Sequence, residues 1–284
     1  MNVAESAGAA RDMTFIERLR RRWGDAGTLL CVGLDPDPAK FPDSLAGTRE
    51  NALFAFCREI ADATAPYACA FKPQIAYFAA HDGGEAQLQR LMAHLAAAHP
   101  QVPVILDAKR GDIGSTAEHY AAEAFDRYRA DAVTLNPYMG RDSAQPFLAR
   151  SDKGCIFLCH TSNPGARDFQ ELRVDGEPLY LRIARTVASD WNAAGNCALV
   201  VGATYPQELK TIRDAVGDMP LLIPGICAQG GDIEAVVRNG RDADGAGLMI
   251  NASRTICYAS NGADYPQAAA RAARSLRDAI NRYR

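Results

Sequence analysis

Along most of this chain, short apolar runs alternate with longer stretches whose apolar residues recur at helical spacing. The runs predict strands at 29–34, 68–71, 102–106, 132–135, 155–159, 198–201, 221–223 and 246–250. The periodic stretches predict helices at 49–63, 85–98, 115–129, 144–149, 178–194, 206–215, 232–238 and 265–283. A strand that is apolar on both faces is buried on both, and helical crossovers between such strands make a parallel sheet. Eight such units over about 255 residues fit an α/β fold of the closed (β/α)8 TIM-barrel type, usually about 250 residues long, better than an open doubly wound sheet. No Gly-x-Gly-x-x-Gly follows the first strand, which disfavours a dinucleotide-binding fold. Residues 1–27 read as a polar tail and an N-terminal helical extension, 14–23, with Phe15, Ile16, Leu19 and Trp23 near helical spacing. The barrel is expected over 28–284.

Barrel enzymes carry their chemistry at the C-terminal ends of the strands. Here Asp35 follows the first strand, Lys72 the second, and Asp107, Lys109 and Asp112 the third. Asn136, Ser162, Gln229 and Arg254 follow the fourth, fifth, seventh and eighth. Side chains alternate along a strand, so Asp107 and Lys109 are expected on one side, with Gly111 breaking the strand before Asp112. Solvated surface charges would not keep this register with the strand ends.

Composition narrows the classes without choosing among them. Hydrophobic residues make up 48% and charged residues 23%, and the formal net charge of −3 gives no general attraction to nucleic acid or anionic membrane. No apolar run approaches the roughly 20 residues of a membrane-spanning helix. The N-terminus lacks an apolar signal segment, and Glu5, Asp12 and Glu17 argue against a transit peptide, so a cytoplasmic location is expected. The eight cysteines form no Cys-x-x-Cys and fall mostly in strands, as small hydrophobes do. The five histidines show no i,i+4 metal spacing and read as surface or packing residues. His160, beside Thr161 after the fifth strand, stands apart as a residue to examine.

After the seventh strand, residues 222–232 carry glycines at 225, 230 and 231 and open a short helix. Such a loop brings backbone N–H groups to an anion, and barrels often hold phosphate there. Arg254 adds a guanidinium fork suited to phosphate. Ser162 has no His/Asp partner pattern, so a hydrogen bond to substrate is preferred over a nucleophilic role. Lys72 ends an apolar strand and needs the third-strand aspartates as partners; flanking carboxylates would keep it protonated, which weighs against a Schiff-base role.

Taken together these segments resemble orotidine 5′-phosphate decarboxylases, in particular the larger bacterial branch of that family. The resemblance rests on Asp107-x-Lys109-x-x-Asp112-Ile113-x-x-Thr116 with Lys72 one strand earlier. It extends to Asp35 in Gly-Leu-Asp-Pro, Ser162 in Ser-x-Pro-Gly, Pro224-Gly-Ile-x-x-Gln229-Gly-Gly-Asp and Arg254, in family order over most of residues 28–260. One departure is Ala252-Ser253 before Arg254, where many members carry glycine. The resemblance implies conversion of orotidine 5′-monophosphate to uridine 5′-monophosphate and CO2, without cofactor or metal. It assigns catalysis to Lys72, Asp107, Lys109 and Asp112, a ribose contact to Asp35, a pyrimidine contact to Ser162, and the phosphate to Pro224, Gln229 and Arg254. It also implies a homodimer in which Asp112 and Thr116 complete the partner's site.

The residues suit that chemistry. Loss of CO2 leaves a carbanion with no conjugated sink, and Lys109 between Asp107 and Asp112 could stabilise it and then protonate C6. Two other readings share part of the pattern. Metal-dependent sugar-phosphate decarboxylases and aldolases of the same barrel group have a similar Asp-x-Lys-x-x-Asp but an acidic metal-binding residue near the second strand's end, where this chain has Lys72. A non-catalytic nucleotide-phosphate binding protein would need Gln229 and Arg254 but not the third-strand charges.

Overall fold

The structure is a computed structural model that describes residues 13–45, 51–226 and 232–284. Its barrel strands are β1 (Leu30–Leu34), β2 (Ala70–Pro73), β3 (Ile105–Arg110), β4 (Ala132–Leu135), β5 (Gly154–His160), β6 (Cys197–Val201), β7 (Leu221–Ile223) and β8 (Leu248–Ala252). All are parallel and neighbour one another in chain order, with β8 returning to β1 through Leu30↔Ile250. Between β2 and β3 the barrel is closed by two single bridges, Phe71↔Val104 and Gln74↔Asp107. The expected (β/α)8 barrel is therefore present, its helices shielding strands that are almost wholly buried.

The strand boundaries of β4 and β7 agree with the apolar pattern, and β3 does not. It begins at Ile105 and runs through Asp107 and Lys109 to Arg110, with a register shift between Leu106 and Arg110. The charged residues can stay in the strand because they pair with one another there. β8 starts two residues later than expected, because Gly245 and Gly247 adopt φ of 72° and 79° and the extended backbone begins only beyond them. The helices expected at 115–129 and 178–194 stop at Ala122 and Thr186, each followed by a wider π turn, Glu123–Arg127 and Val187–Trp191. A two-stranded hairpin, Arg173–Val174 with Glu177–Pro178, was not expected. Its turn is Asp175-Gly176, both at positive φ, a pairing that favours tight hairpins.

The N-terminal helix, Phe15–Gly24, starts from a capping box in which Thr14 and Glu17 bond reciprocally. Phe15, Ile16, Leu19 and Trp23 are buried, and the Trp23 indole N–H donates to Leu248 O at 2.8 Å. Gly154 is required beneath it, since a Cβ there would collide with the Phe15 ring. Arg18 pairs with Asp131, whose other oxygen accepts from Val104 N at 2.7 Å. The helix thereby covers the N-terminal end of the barrel and leaves the other end open.

At the covered end, Arg213 is 7% exposed and donates to four carbonyls, those of Gly217, Met219, Gly240 and Gly247. Burial pulls its pKa down to about 10 against Asp242 and Asp218, and it remains charged at neutral pH. It thus ties together the turns that lead into β7 and β8. Arg213→Met, which strips four buried carbonyls of their donor, is expected to lower the unfolding free energy by about 3 kcal/mol. Urea unfolding at neutral pH measures it, and a loss below about 1 kcal/mol would mean that water replaces the guanidinium.

Candidate active site

At the open end, β2, β3 and β4 bring four side chains to one point. Lys72 Nζ lies 2.7 Å from Asp107 Oδ2, and Lys109 Nζ donates to Asp107 Oδ1 at 2.7 Å. Thr134 donates its hydroxyl to the same Oδ1 at 2.9 Å and accepts the backbone N–H groups of Ala108 and Lys109, both at 3.0 Å. The side chains of Lys72 and Asp107 are 6% and 9% exposed, whereas that of Lys109 is 46% exposed. Lys109 is the member of the cluster that solvent, or a ligand, can reach.

The register behind this differs from simple alternation. Lys109 has φ of 47°, a left-handed conformation that costs a lysine of order 1 kcal/mol or more. The two hydrogen bonds to Thr134 Oγ1 hold the backbone in that turn. Lys109 therefore meets Asp107 because Thr134 folds the strand end. Sequence reasoning missed Thr134, although a threonine inside the buried run Ala-Val-Thr-Leu was a signal available to it.

Burial alone would push the Asp107 carboxyl up, but Lys72 and Lys109 outweigh it and hold the group well below the usual carboxylate range. Burial would likewise push Lys72 down, and the charges of Asp107 and Asp35 hold it above the usual lysine range instead. Asp107 thus stabilises the fold above the unfolded carboxylate pKa near 4, and that contribution is lost as pH falls through the depressed folded value. The contribution of Lys72 is complete below about 10.4 and is lost as pH rises through its elevated value. Across the neutral range both remain charged.

Asp35, just beyond β1, forms a further part of this end of the barrel. Tyr258 fixes its loop, donating to Asp35 O at 2.8 Å and accepting from Asp37 N at 2.7 Å. Gly33, opposite Lys72, must be glycine because a Cβ would come 2.8 Å from Ser253 Cβ and 3.1 Å from Asn251 Oδ1. Asp35 Oδ1, Asn251 Oδ1 and Ser253 Oγ are buried without a hydrogen-bond partner among the described residues. Unmatched buried oxygens are costly in a finished interior, and ligand hydroxyls or water can satisfy them. Asn251 and Ser253 were not singled out from sequence as site residues in their own right.

The remaining expected residues are less closely joined. Ser162 is half-buried beyond β5, and Gly202 must lack a Cβ, because one there would come within 2.8 Å of Ser162 Cα, Cβ and N. Pro224 is half-buried beyond β7, with Gly225 at φ 96° after it. Arg254 is exposed in the short helix Arg254–Cys257 and makes no side-chain hydrogen bond or ion pair among the described residues. Gln229, with the rest of 227–231, lies outside the described residues.

Asp112 makes no ion pair with Lys109 among the described residues. The strand ends at Arg110, the chain turns, and Asp112 accepts from its neighbour Ile113 N at 2.8 Å. Thr116 is exposed in the first turn of the helix Gly114–Ala122. That helix is tied back to β3, as Arg110 grips Glu123 with two hydrogen bonds of 2.8 and 2.9 Å. Asn136 is exposed and accepts from Tyr138 N as a turn cap. His160 is fully buried, its ring 4.5 Å from that of Tyr180 and 4.4 Å from that of Tyr205, which marks it as a packing residue.

Comparison with known proteins places these residues in context. The profile of the orotidine 5′-phosphate decarboxylase / HUMPS family matches residues 28–273. Among curated relatives, the orotidine 5′-phosphate decarboxylase of Bordetella petrii is 63% identical over 271 residues, covering 95% of this chain and 99% of that protein. The one from an Azoarcus species is 63% identical over 272 residues, covering 96% and 100%. Among solved structures, Leishmania donovani OMP decarboxylase superposes with a TM-score of 0.82 at 39% identity, covering 95% of this chain and 98% of that one. Leishmania donovani UMP synthase gives 0.82 at 40%, covering 95% of this chain and 57% of the other.

Removing Asp107 leaves Lys72 buried without its partner, and Asp107→Ala is expected to cost about 3–5 kcal/mol at pH 7. The deficit should shrink as pH rises toward 10, because the stranded lysine releases its proton more readily folded than unfolded. Denaturant unfolding from pH 6 to 10 reads both effects, and a pH-independent deficit would show that Lys72 is not held charged by Asp107.

Proposed function

The chain belongs to the orotidine 5′-phosphate decarboxylase / HUMPS family, and from that premise we propose that Lys109 is its proton donor to C6 of the pyrimidine. The enzyme is a carboxy-lyase of pyrimidine biosynthesis that converts orotidine 5′-monophosphate to uridine 5′-monophosphate and CO2. The observation that carries the proposal is the asymmetry of the cluster, in which Lys72 and Asp107 are buried and Lys109 alone is half-exposed.

When the bond from C6 to the carboxyl carbon breaks, its electron pair stays on C6. The Lys109 ammonium lowers the energy of that charge and then delivers its proton. Asp107, placed against the departing carboxylate, disfavours the bound ground state more than the transition state. Unit charges 4 Å apart are worth about 4 kcal/mol at an effective dielectric of 20, against the roughly 8–23 kcal/mol that enzymes commonly supply. Binding energy from the rest of the nucleotide must therefore be used as well. We assign Asp35 to the ribose, Ser162 to the pyrimidine, and Pro224, Gln229 and Arg254 to the phosphate. No residue here is asked to hold a cofactor or metal for the reaction.

A homodimer, with Asp112 and Thr116 serving the partner's site, is part of the same proposal. It is supported by the apolar side chains beside them, since Ile113 is 58%, Tyr138 89% and Met139 41% exposed. The seven described cysteines are free and buried, which suits a reducing cytoplasm, and no described helix is long and apolar enough to cross a membrane.

With chelator present, the wild type is expected to consume orotidine 5′-monophosphate, followed by ultraviolet absorbance, and Lys109→Ala to be inactive. Dependence on added magnesium would instead favour a metal-assisted reaction. Lys109→Ala and Asp112→Ala, each inactive alone, should recover about a quarter of wild-type activity when dissociated and mixed in equal amounts, since half the dimers are mixed and each mixed dimer rebuilds one site. No recovery on mixing would place Asp112 in its own chain's site. Arg254→Ala should lower kcat as well as raise KM, and a change in KM alone would uncouple phosphate binding from the chemical step.

A further inference from the structure

We propose that Asp62, His94 and His99 form a binding site for a divalent cation of the zinc class, on the outer helices at the covered end of the barrel. Asp62 lies in the last turn of the helix Ala52–Thr64, His94 in the helix Gly84–Ala98, and His99 is that helix's C-cap. The Nε2 atoms of both imidazoles lie 2.7 Å from the same Asp62 Oδ1, and one ligand atom from each residue falls within 4.8 Å of the others. This is the one such group of three among the described residues. The spacing escaped sequence reading because the histidines are five apart and the carboxylate comes from another helix.

The geometry suits a tetrahedral ion. Zinc binds imidazole nitrogen at about 2.0–2.1 Å and carboxylate oxygen at about 2.0–2.2 Å, which puts neighbouring ligand atoms roughly 3.3 Å apart. Opening each 2.7 Å contact by about half an ångström would seat the ion. The two rings are edge-on to each other, 79° between planes with centroids 6.0 Å apart, so their lone pairs can converge on one point. Packing limits their freedom: His94 meets Phe54 edge-on and His99 lies beside Phe71. The His99 backbone is held as well, its N–H donating to Leu95 O and its carbonyl accepting from Val102 N. Asp62 is 43% exposed, which leaves room for water as the fourth ligand. Binding requires each histidine to present Nε2 as a lone pair, moving its proton to Nδ1, so the cation replaces two hydrogen-bond donors to Asp62.

The helices that the ion would join lead into β2 and β3, the strands carrying Lys72, Asp107 and Lys109. The site therefore clamps the feet of the catalytic strands without touching the substrate. It stands independently of the reaction assigned above.

The test uses the full chain stripped with chelator and then freed of it. Titration with Zn2+ by calorimetry should show one saturable equivalent per chain, and the thermal midpoint should rise as it binds. Co2+ in its place should give the visible absorption of a tetrahedral site. His99→Gln and Asp62→Asn should each weaken binding at least tenfold while retaining the wild-type decarboxylation rate. Equal binding by wild type and both variants, or no saturable binding, would overturn the proposal and leave the cluster as two histidines hydrogen-bonded to a carboxylate.

Discussion

The Asp107 carboxylate, gripped by two ammonium groups and one hydroxyl at the rim of an apolar barrel, is the contact on which the site depends. A lone carboxylate at that depth would take up a proton, and a lone lysine at Lys72 would lose one. Each is ionised because the other is. The arrangement is costly to assemble, since both charges leave water, and it repays that cost only as a complete set. Thr134 finishes it by filling a position on Asp107 Oδ1 and by holding the Lys109 backbone in a left-handed turn.

The rest of the molecule separates support from chemistry by the two ends of the barrel. One end is covered by the N-terminal helix and by Arg213, whose guanidinium is spent on backbone carbonyls. The other end is left with exposed Lys109 and Arg254 and with buried oxygens on Asp35, Asn251 and Ser253 that have no partner among the described residues. Stability concentrated at one end allows unmatched polar groups at the other, which is the division that suits binding and catalysis in barrels.

Asp112 and Thr116 make no hydrogen bond with Lys72, Asp107 or Lys109 among the described residues. They lie beyond the turn at Gly111, beside exposed Ile113, Tyr138 and Met139. The dimer proposed above would give Asp112 a role in the partner's site and would cover this apolar surround.

The sequence by itself determined the barrel, because eight doubly apolar runs separated by helical periods have few other ways to be buried. It also determined which residue types stand at the strand ends, and its motifs pointed to the family. It did not determine how those residues meet. Alternation placed Lys109 beside Asp107 for a reason that the positive φ at Lys109 replaces, and the motif that set Asp112 near them did not show that Asp112 makes no ion pair with Lys109 among the described residues. Thr134, Asn251 and the Asp62–His94–His99 group depend on contacts between segments distant in the chain. Period and propensity act over a few neighbouring residues, whereas the partner of a buried polar atom is set by closure of the barrel, so only the tertiary structure could decide it.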